Sequence, residues 1–447
     1  MIQTNPDRNV ILSRYVELEK DSNGGLPPWL VRLRKTAVSR FADLGFPTTR
    51  QEEWRTTSVE PIARTAFEPV PADGNALKAA TLEPFAFADP GIAQFVFVNG
   101  RFAPRLSSPG PLPAGVKAGS LAAALESDPG RVEPHLARYA AFDDQPFTAL
   151  NTAFLGDGAF VHVPDGVVVQ RPVHLLFITT PGQEPVISQP RTLVLAGDGA
   201  QVTLIESYAA LEGGVCFTNA VSEIVAGRDA VVDHYRIQRD NRRAYHVATQ
   251  QFQAGRGASC STHSLSLGGG LVRNDVNAVL DGEGADCVLN GLFLATGTQH
   301  VDNHTRIDHA KPHCSSRELY KGILADQSRG IFSGRIIVRK DAQKTDSKQT
   351  NKNLLLSEEA LVDTRPQLEI YADDVKCTHG ATIGQLDEES IFYLRSRGIA
   401  RQEAHAILIH AFAGDIVNRV KVAPVRARLD AFVSAWLPAA VGARRVA

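Results

Sequence analysis

The chain has 447 residues, of which 47 are basic and 49 acidic, and 43% are hydrophobic. That length can bury several cores and hold two or three structural units, while the near balance of charge excludes a broad nucleic-acid surface. No apolar run approaches the roughly 18 residues of a membrane span. The N-terminus lacks an apolar signal core, and Asp7, Glu17 and Glu19 argue against a transit peptide. Five cysteines (Cys216, Cys260, Cys287, Cys314 and Cys377) are odd in number and form no C-x-x-C pair. That usage suits a reducing compartment, and the expectation is a soluble cytoplasmic protein.

Residues 1–95 are expected to be mostly helical. Pro27 and Pro28 start a segment whose Leu30, Leu33, Ala37, Phe41 and Leu44 fall at helical spacing, and Gly45 is placed to stop it. Trp54 follows in the more polar RQEEWRTTS, and Pro69, Pro71, Gly74, Pro84 and Pro90 mark a linker or wandering loop. A strand pattern runs from Gln94 to Phe102; after a proline-rich loop and a short helix (Leu121 to Ser127), strands dominate.

Glycine turns then recur: Gly156-Asp157-Gly158-Ala159, Gly197-Asp198-Gly199-Ala200, Gly227-Arg228-Asp229-Ala230, Gly255-Arg256-Gly257-Ala258 and Gly282-Glu283-Gly284-Ala285. The last four start 30, 28 and 27 residues apart, each followed by a short alternating run such as Gln201-Val202-Thr203-Leu204-Ile205. Short strands at this period predict a mainly β protein, a right-handed parallel β-helix over residues 96–385, with room for roughly ten coils. A sandwich would need hairpin turns and fits a middle this long poorly.

The stretch Pro366–Ile399 closes the pattern. Leu368, Ile370 and Ala372 alternate with polar neighbours, Asp373-Asp374 interrupts, and Val375 to His379 resumes the rhythm. Cys377 and His379 therefore project from one face. Gly380 is expected to end the strand, and Asp387-Glu388-Glu389 to open a helix with negative charge on its first turn. Spacing alone leaves two readings open: two half-buried residues at a strand end, or a thiol and imidazole pair for a soft or borderline metal. Residues 386–447 read as a C-terminal helical domain. Ile409, Phe412, Ile416 and Val420 form one stripe, and Val425, Leu429, Phe432 and Trp436 a second, between Pro424 and a stop at Pro438. Such stripes serve first as core, so part of this surface is expected to lie against the solenoid.

Several chemistries are excluded. There is no Gly-Lys dipeptide, hence no phosphate-binding P-loop; the G-x-G turns lack the third glycine of a dinucleotide fingerprint; no H-E-x-x-H or nucleophile elbow occurs. A cluster of His300, Asp302, His304, Asp308, His309, His313 and Cys314 is ligand-like, since alternation puts His300, Asp302 and His304 on one face. The same residue types also line solenoid turns by bonding backbone groups, which is the reading preferred here.

The string KCTHGATIGQLDEESIFYLRSRGI resembles the C-terminal signature of the SufB/SufD family, scaffold subunits of the SUF iron–sulfur cluster assembly machinery. The likeness extends through residues 333–377 and 300–324, and returns in GFPTTRQEEWRTTS (45–58) and ALNTAFLGDGAFVHVPDGV (149–167). SufB endings resemble HEATTSKIG, whereas here the string is His379-Gly380-Ala381-Thr382-Ile383-Gly384, so the resemblance is to the SufD side. Where the SufB side carries a cysteine thought to hold the nascent cluster, this chain has Asn351.

The resemblance implies a β-helix and a non-enzymatic scaffold in a complex with SufB and the ATPase SufC. In it, His379, with Cys377 beside it, would face SufB's cysteine across the interface of a β-helix heterodimer. Iron or an iron–sulfur cluster would be held there transiently, and imidazole and thiolate are both reasonable ligands for iron. The chain has no nucleotide site of its own, so the C-terminal helices, with Ile409, Phe412, Ile416, Val420, Leu429, Phe432 and Trp436, are assigned to docking SufC. Gly414 within the first of them suggests close approach by another backbone. Neither nucleic acid nor a membrane is expected as a partner; self-pairing of isolated chains and flavin binding by the complex stay open. The alternative from a different class is a polysaccharide-acting β-helix enzyme, against which stand the reducing-compartment cysteines and the missing secretion signal.

Overall fold

A computed structural model of the chain describes residues 26–69, 77–87 and 89–442. The arguments resting on Asp7, Glu17, Glu19, Pro71 and Gly74 concern residues outside that set.

The middle of the chain winds into a parallel β-solenoid of eight coils, each laying one strand on a first face and one on a second. Coil 1 is Gly158–Val163 with Val168–Thr179, coil 2 Arg191–Ala196 with Gln201–Ala210, and coil 3 Cys216–Ala226 with Val231–Gln238. Coil 4 is Tyr245–Ala254 with Ser259–Ser266, and coil 5 Leu271–Leu280 with Asp286–Ala295. Coil 6 is His300–His309 with Ser315–Leu324, coil 7 Arg329–Val338 with Asp346–Leu355, and coil 8 Leu361–Ile370 with Lys376–Gly384. From coil 4 to coil 8 the register on the first face is unbroken, with Tyr245, Leu271, His300, Arg329 and Leu361 in one column. Eight coils replace the expected ten, because the segment ahead of Gly158 holds loops, short helices and the strand Ala93–Val98 instead of complete coils.

The turn between the two faces explains the period. Gly166, Gly199, Asp229, Gly257, Gly284, His313 and Lys344 all adopt positive φ, between 57° and 69° except Gly284 at 72°. Each N–H donates to a turn carbonyl of the next coil: Gly199 to Arg228 at 2.7 Å, Asp229 to Arg256 at 2.8 Å, Gly257 to Glu283 at 2.9 Å. Glycine is favoured there because the left-handed region costs it nothing. The period fades after Gly284 because His313 and Lys344 take the same conformation without glycine. Gly156-Asp157-Gly158 is not one of these turns; Gly158 begins coil 1 against the Arg191 backbone, and the equivalent turn contains Gly166.

Inside, the early coils are packed with apolar side chains, including a ladder of Phe97 on Phe177 (4.7 Å) and Phe177 on Tyr208 (4.9 Å). Toward coil 8 the interior becomes polar, with Ser316, Glu318, Ser347, Gln349, Asn351 and Asn353 all buried. Ahead of Ala93 the described residues hold one long helix, Pro28–Leu44, begun at the prolines and stopped at Gly45 (φ 66°), plus short helical turns.

Beyond coil 8, Asp387 caps the helix Glu388–Arg395, its carboxylate accepting from the N–H groups of Glu389 and Ser390. Helices Arg401–Val417 and Ala423–Gly442 follow. Two stops fall elsewhere than expected. The coil 8 strand continues past Gly380 to Gly384, since an extended backbone suits glycine and a side chain at Gly380 would meet nothing. The last helix runs through Pro438 to Gly442: a proline so near the end removes a single hydrogen bond of the final turns.

Candidate functional site

Among the described residues coil 8 is paired on one side only, with coil 7. The Lys376 N–H donates back to Thr345 at 2.8 Å and the Leu361 N–H to Ser328 at 3.0 Å. Alternation along parallel strands then turns the N–H groups of Cys377, His379 and Ala381 outward. Pro366, in the companion strand, stands where its missing N–H would face outward, the position at which an edge strand tolerates proline. Around this open end lie exposed apolar side chains: Leu361, Ile370, Tyr371 (63% exposed), Ile383, Phe392 (74%) and Tyr393. Unpaired strand edges rimmed by apolar groups are a surface on which another strand can stack.

Cys377 and His379 sit on this last strand, two residues apart and on one face, as alternation requires. Cys377 is half-buried against the interior cluster, while His379 is exposed. Burial pushes the Cys377 thiol up, with Asp346 adding to the rise and the Ser347 N–H opposing it. A metal arriving there must displace a proton. Among the described residues no three His, Cys, Asp or Glu side chains gather as a metal site, so this pair is at most part of one.

The ladder shows what lies beneath the pair. Cys377 tops a column of Cys260, Cys287, Ser316 and Ser347, and His379 tops a column of Leu289, Glu318 and Gln349. In the second, Gln349 Nε2 donates to Glu318 Oε2 at 2.7 Å. Burial pushes the Glu318 carboxyl up to about 7, against the pull of hydrogen bonds from Thr305 and Gln349. Asn351 is also inside, its side-chain amide donating to the Tyr320 carbonyl at 3.2 Å. Sequence reasoning missed Glu318 and Gln349. The turn period carried the signal, since positions 318, 349 and 379 are 31 and 30 residues apart.

The His300–Cys314 cluster divides. His300, Asp302 and His304 do share the outer side of the first face, and the segment Gln51–Ser58 straps across them. Thr57 Oγ1 donates to Asp302 Oδ2 at 2.5 Å and lies 2.9 Å from His300 Nε2. Arg273 pairs with Asp302 at 2.7 Å and lies 4.4 Å over the Trp54 ring. His304 stands 3.3 Å from Glu53 and 3.1 Å from Asp302. The bond to His304 holds Glu53 down to about 2. Burial and Arg273 oppose protonation of His304, but Asp302 and Glu53 outweigh them and raise it. These atoms are engaged in holding the strap. His309 points inside to Ser316 (2.9 Å), His313 occupies a left-handed turn, and the Cys314 thiol donates to the Gly282 carbonyl.

The helical stripes also divide. Ile409, Ile416, Val420, Val425 and Leu429 are buried in one cluster with Ile205, Tyr235, Leu265, Leu292 and Ile323 on the outer side of the second face. Phe412, Phe432 and Trp436 pack on it and stay partly exposed. Lys321 fixes the first helix, reaching Asp415 at 2.9 Å and the Phe412 carbonyl at 3.0 Å. Among the described residues a side chain at Gly414 would meet only Asn418, at 3.6 Å, and no backbone from elsewhere in the fold approaches it closely. No helix among the described residues is long and apolar enough to cross a membrane.

Comparison with known proteins gives a consistent answer. Residues 177–412 match the family described as SUF system FeS cluster assembly, SufBD core domain, and residues 11–175 match the SufBD protein N-terminal region. A SufBD family iron–sulfur cluster assembly protein of Synechocystis is 35% identical over 413 residues, 91% of this chain and 90% of that one. The iron–sulfur cluster assembly protein SufD of Escherichia coli is 33% identical over 88% of this chain and 90% of its own length. SufD of Bacillus subtilis is 28% identical over 64% of this chain and 66% of its own.

Proposed function

This chain belongs to the SufBD family of iron–sulfur cluster assembly proteins, and from that premise we propose that it is a non-catalytic scaffold subunit whose open solenoid end completes a cluster-building site with the sister subunit SufB. The observation that carries the reading is the unpaired coil 8, with its outward N–H groups, its apolar rim and two metal-competent side chains on one strand face. A second parallel solenoid stacked on that edge would continue both sheets and bring its own donors to Cys377 and His379. Iron or the nascent cluster is the cargo of such a site and needs more donors than the described residues bring together. Family membership leaves the polysaccharide-acting alternative without support.

The second partner is the ATPase SufC, which supplies the nucleotide chemistry this sequence lacks. Docking falls to the outer surface of the two last helices, where Phe412, Phe432 and Trp436 are partly exposed and Ile407 is exposed. The buried stripe residues fix that surface rigidly to the solenoid. Five cysteines free of disulfides suit a reducing, cytoplasmic setting for this work. The test is His379→Ala in cells that depend on this system. The variant folds, since the side chain is exposed, and iron–sulfur enzyme activity collapses; Cys377→Ala is milder. Normal enzyme activity with His379→Ala would remove the ligand assignment.

A further inference from the structure

Beneath the open end, one buried side chain keeps a polar atom unpaired among the described residues. Gln349 is the ladder partner of His379, one coil below it. Adjacent strands lie about 4.8 Å apart and paired residues project to the same side, so the two side chains are neighbours. Gln349 is 1% exposed, and its Oε1 has no hydrogen-bond partner among the described residues. Its Nε2 is held by the Glu318 carboxyl at 2.7 Å. Gly334 makes the room for this arrangement: a Cβ there would stand 2.3 Å from Gln349 Nε2. With Nε2 donating to Glu318, the amide oxygen is left for the opposite side. An unpaired buried amide oxygen is a standing cost that a neighbouring donor relieves.

We propose that Gln349 is a positioning residue for His379: its amide oxygen accepts one ring N–H of His379 once a partner covers the open end, leaving the other ring nitrogen's lone pair for the metal cargo. This rests on the reading of the open end given above. Neutral imidazole ligates through one nitrogen, and the hydrogen bond made by the other selects the tautomer and aims the ring. Glu318 acts one step further back, through the amide it orients.

The experiment uses the complex reconstituted from this chain and its partner subunits, with the chain's histidines labelled with ¹⁵N. Solid-state spectra of the ring nitrogens, with His379→Ala as the subtraction that assigns the signal, show one dominant tautomer in the native complex. In Gln349→Met, close in shape but without the acceptor, that signal splits into the two-tautomer mixture of a free imidazole. Affinity for added Fe(II) falls about tenfold, the lower end for loss of such an outer partner. Glu318→Gln keeps an acceptor for the Gln349 amide and retains the native signal. Should Gln349→Met fail to fold, Gln349→Thr, shorter and still polar, is measured in the same way. A folded variant with unchanged ring signal and unchanged Fe(II) affinity overturns the positioning role. The two failures are distinguishable: full cluster assembly with His379→Ala sinks the open-end reading itself. A crippled His379→Ala beside a native-like Gln349 variant sinks only the inference.

Discussion

Replacing Glu318 with glutamine should make the protein more stable, and by an amount that depends on pH. Glu318 is fully enclosed in the polar interior of coil 6, and burial raises its carboxyl from 4.5 to about 7. An acid whose folded value is raised favours folding in its protonated form. Its contribution is complete below the unfolded value of 4.5 and is lost as pH rises toward about 7. At about 1.4 kcal/mol per pH unit, the rise from 4.5 to about 7 costs up to about 3.5 kcal/mol once the carboxyl is ionised, as an upper value. Glutamine has the same shape, cannot ionise, and keeps an acceptor for Gln349. The assay is urea denaturation of native and Glu318→Gln protein at pH 4.5 and at pH 8. The two should coincide at the lower pH, and the variant should gain about 2–3 kcal/mol at the higher. A gain of equal size at both values would mean that ionisation of Glu318 is not what limits stability there.

The strap across the first face should loosen at both ends of the pH range. Glu53, held down to about 2, contributes above 4.5 and loses that contribution as pH falls, whereas His304, raised from 6.5, contributes fully below 6.5 and loses it as pH rises through its folded value. Fluorescence of Trp54, with Trp29 and Trp436 replaced by phenylalanine, should therefore report a buried indole best between about pH 4.5 and 6.5; a flat profile contradicts this. Gly199→Ala, at φ 65° with no near neighbour but Gly166, should cost about 1–2 kcal/mol in denaturation, from backbone strain alone. Gly414→Ala should stabilise the isolated chain by up to about 1 kcal/mol, and should weaken SufC capture only if the partner's backbone packs at that point. Deleting residues 400–447 should lower the unfolding temperature sharply, because it uncovers Tyr235, Leu292 and Ile323, whereas Trp436→Ala should leave folding intact and reduce SufC retention in a pull-down.

Much of the architecture was legible because one backbone requirement repeats. A left-handed residue between the two faces of the first seven coils selects glycine at Gly199, Gly257 and Gly284, and close packing on the preceding turn selects it at Gly197, Gly227, Gly255 and Gly282; together they exposed the period. The coil count was overestimated because a period says nothing about where winding begins, and the segment from Gln94 to Asp157 holds short strands, helices and loops instead of complete coils. Cys377 and His379 were readable as same-face neighbours from alternation, but their place at an unpaired end follows from which coil comes last, a property of the whole stack. Burial of Ile409 and Ile416 against the solenoid was foreshadowed by their stripe; which face they cover was not, since the second face reads as ordinary strand. Glu318 and Gln349 lie in stretches rich in polar and charged residues, with no local signal of burial. Only the register of coils 6 to 8 puts them inside, beneath the histidine.

The central claim is that the uncovered edge of coil 8 is where the sister subunit stacks. Ala381→Pro tests it most directly, because it removes an outward N–H of that edge while sparing the bonds to coil 7. The measurement is the composition of the complex recovered with the tagged full-length chain, native and Ala381→Pro, from cells expressing untagged neighbours. The native chain should bring down a SufB-type subunit and the SufC-type ATPase together, and the variant should keep the ATPase and lose SufB. Undiminished recovery of SufB with a folded Ala381→Pro chain, or a native chain that purifies alone, would contradict it.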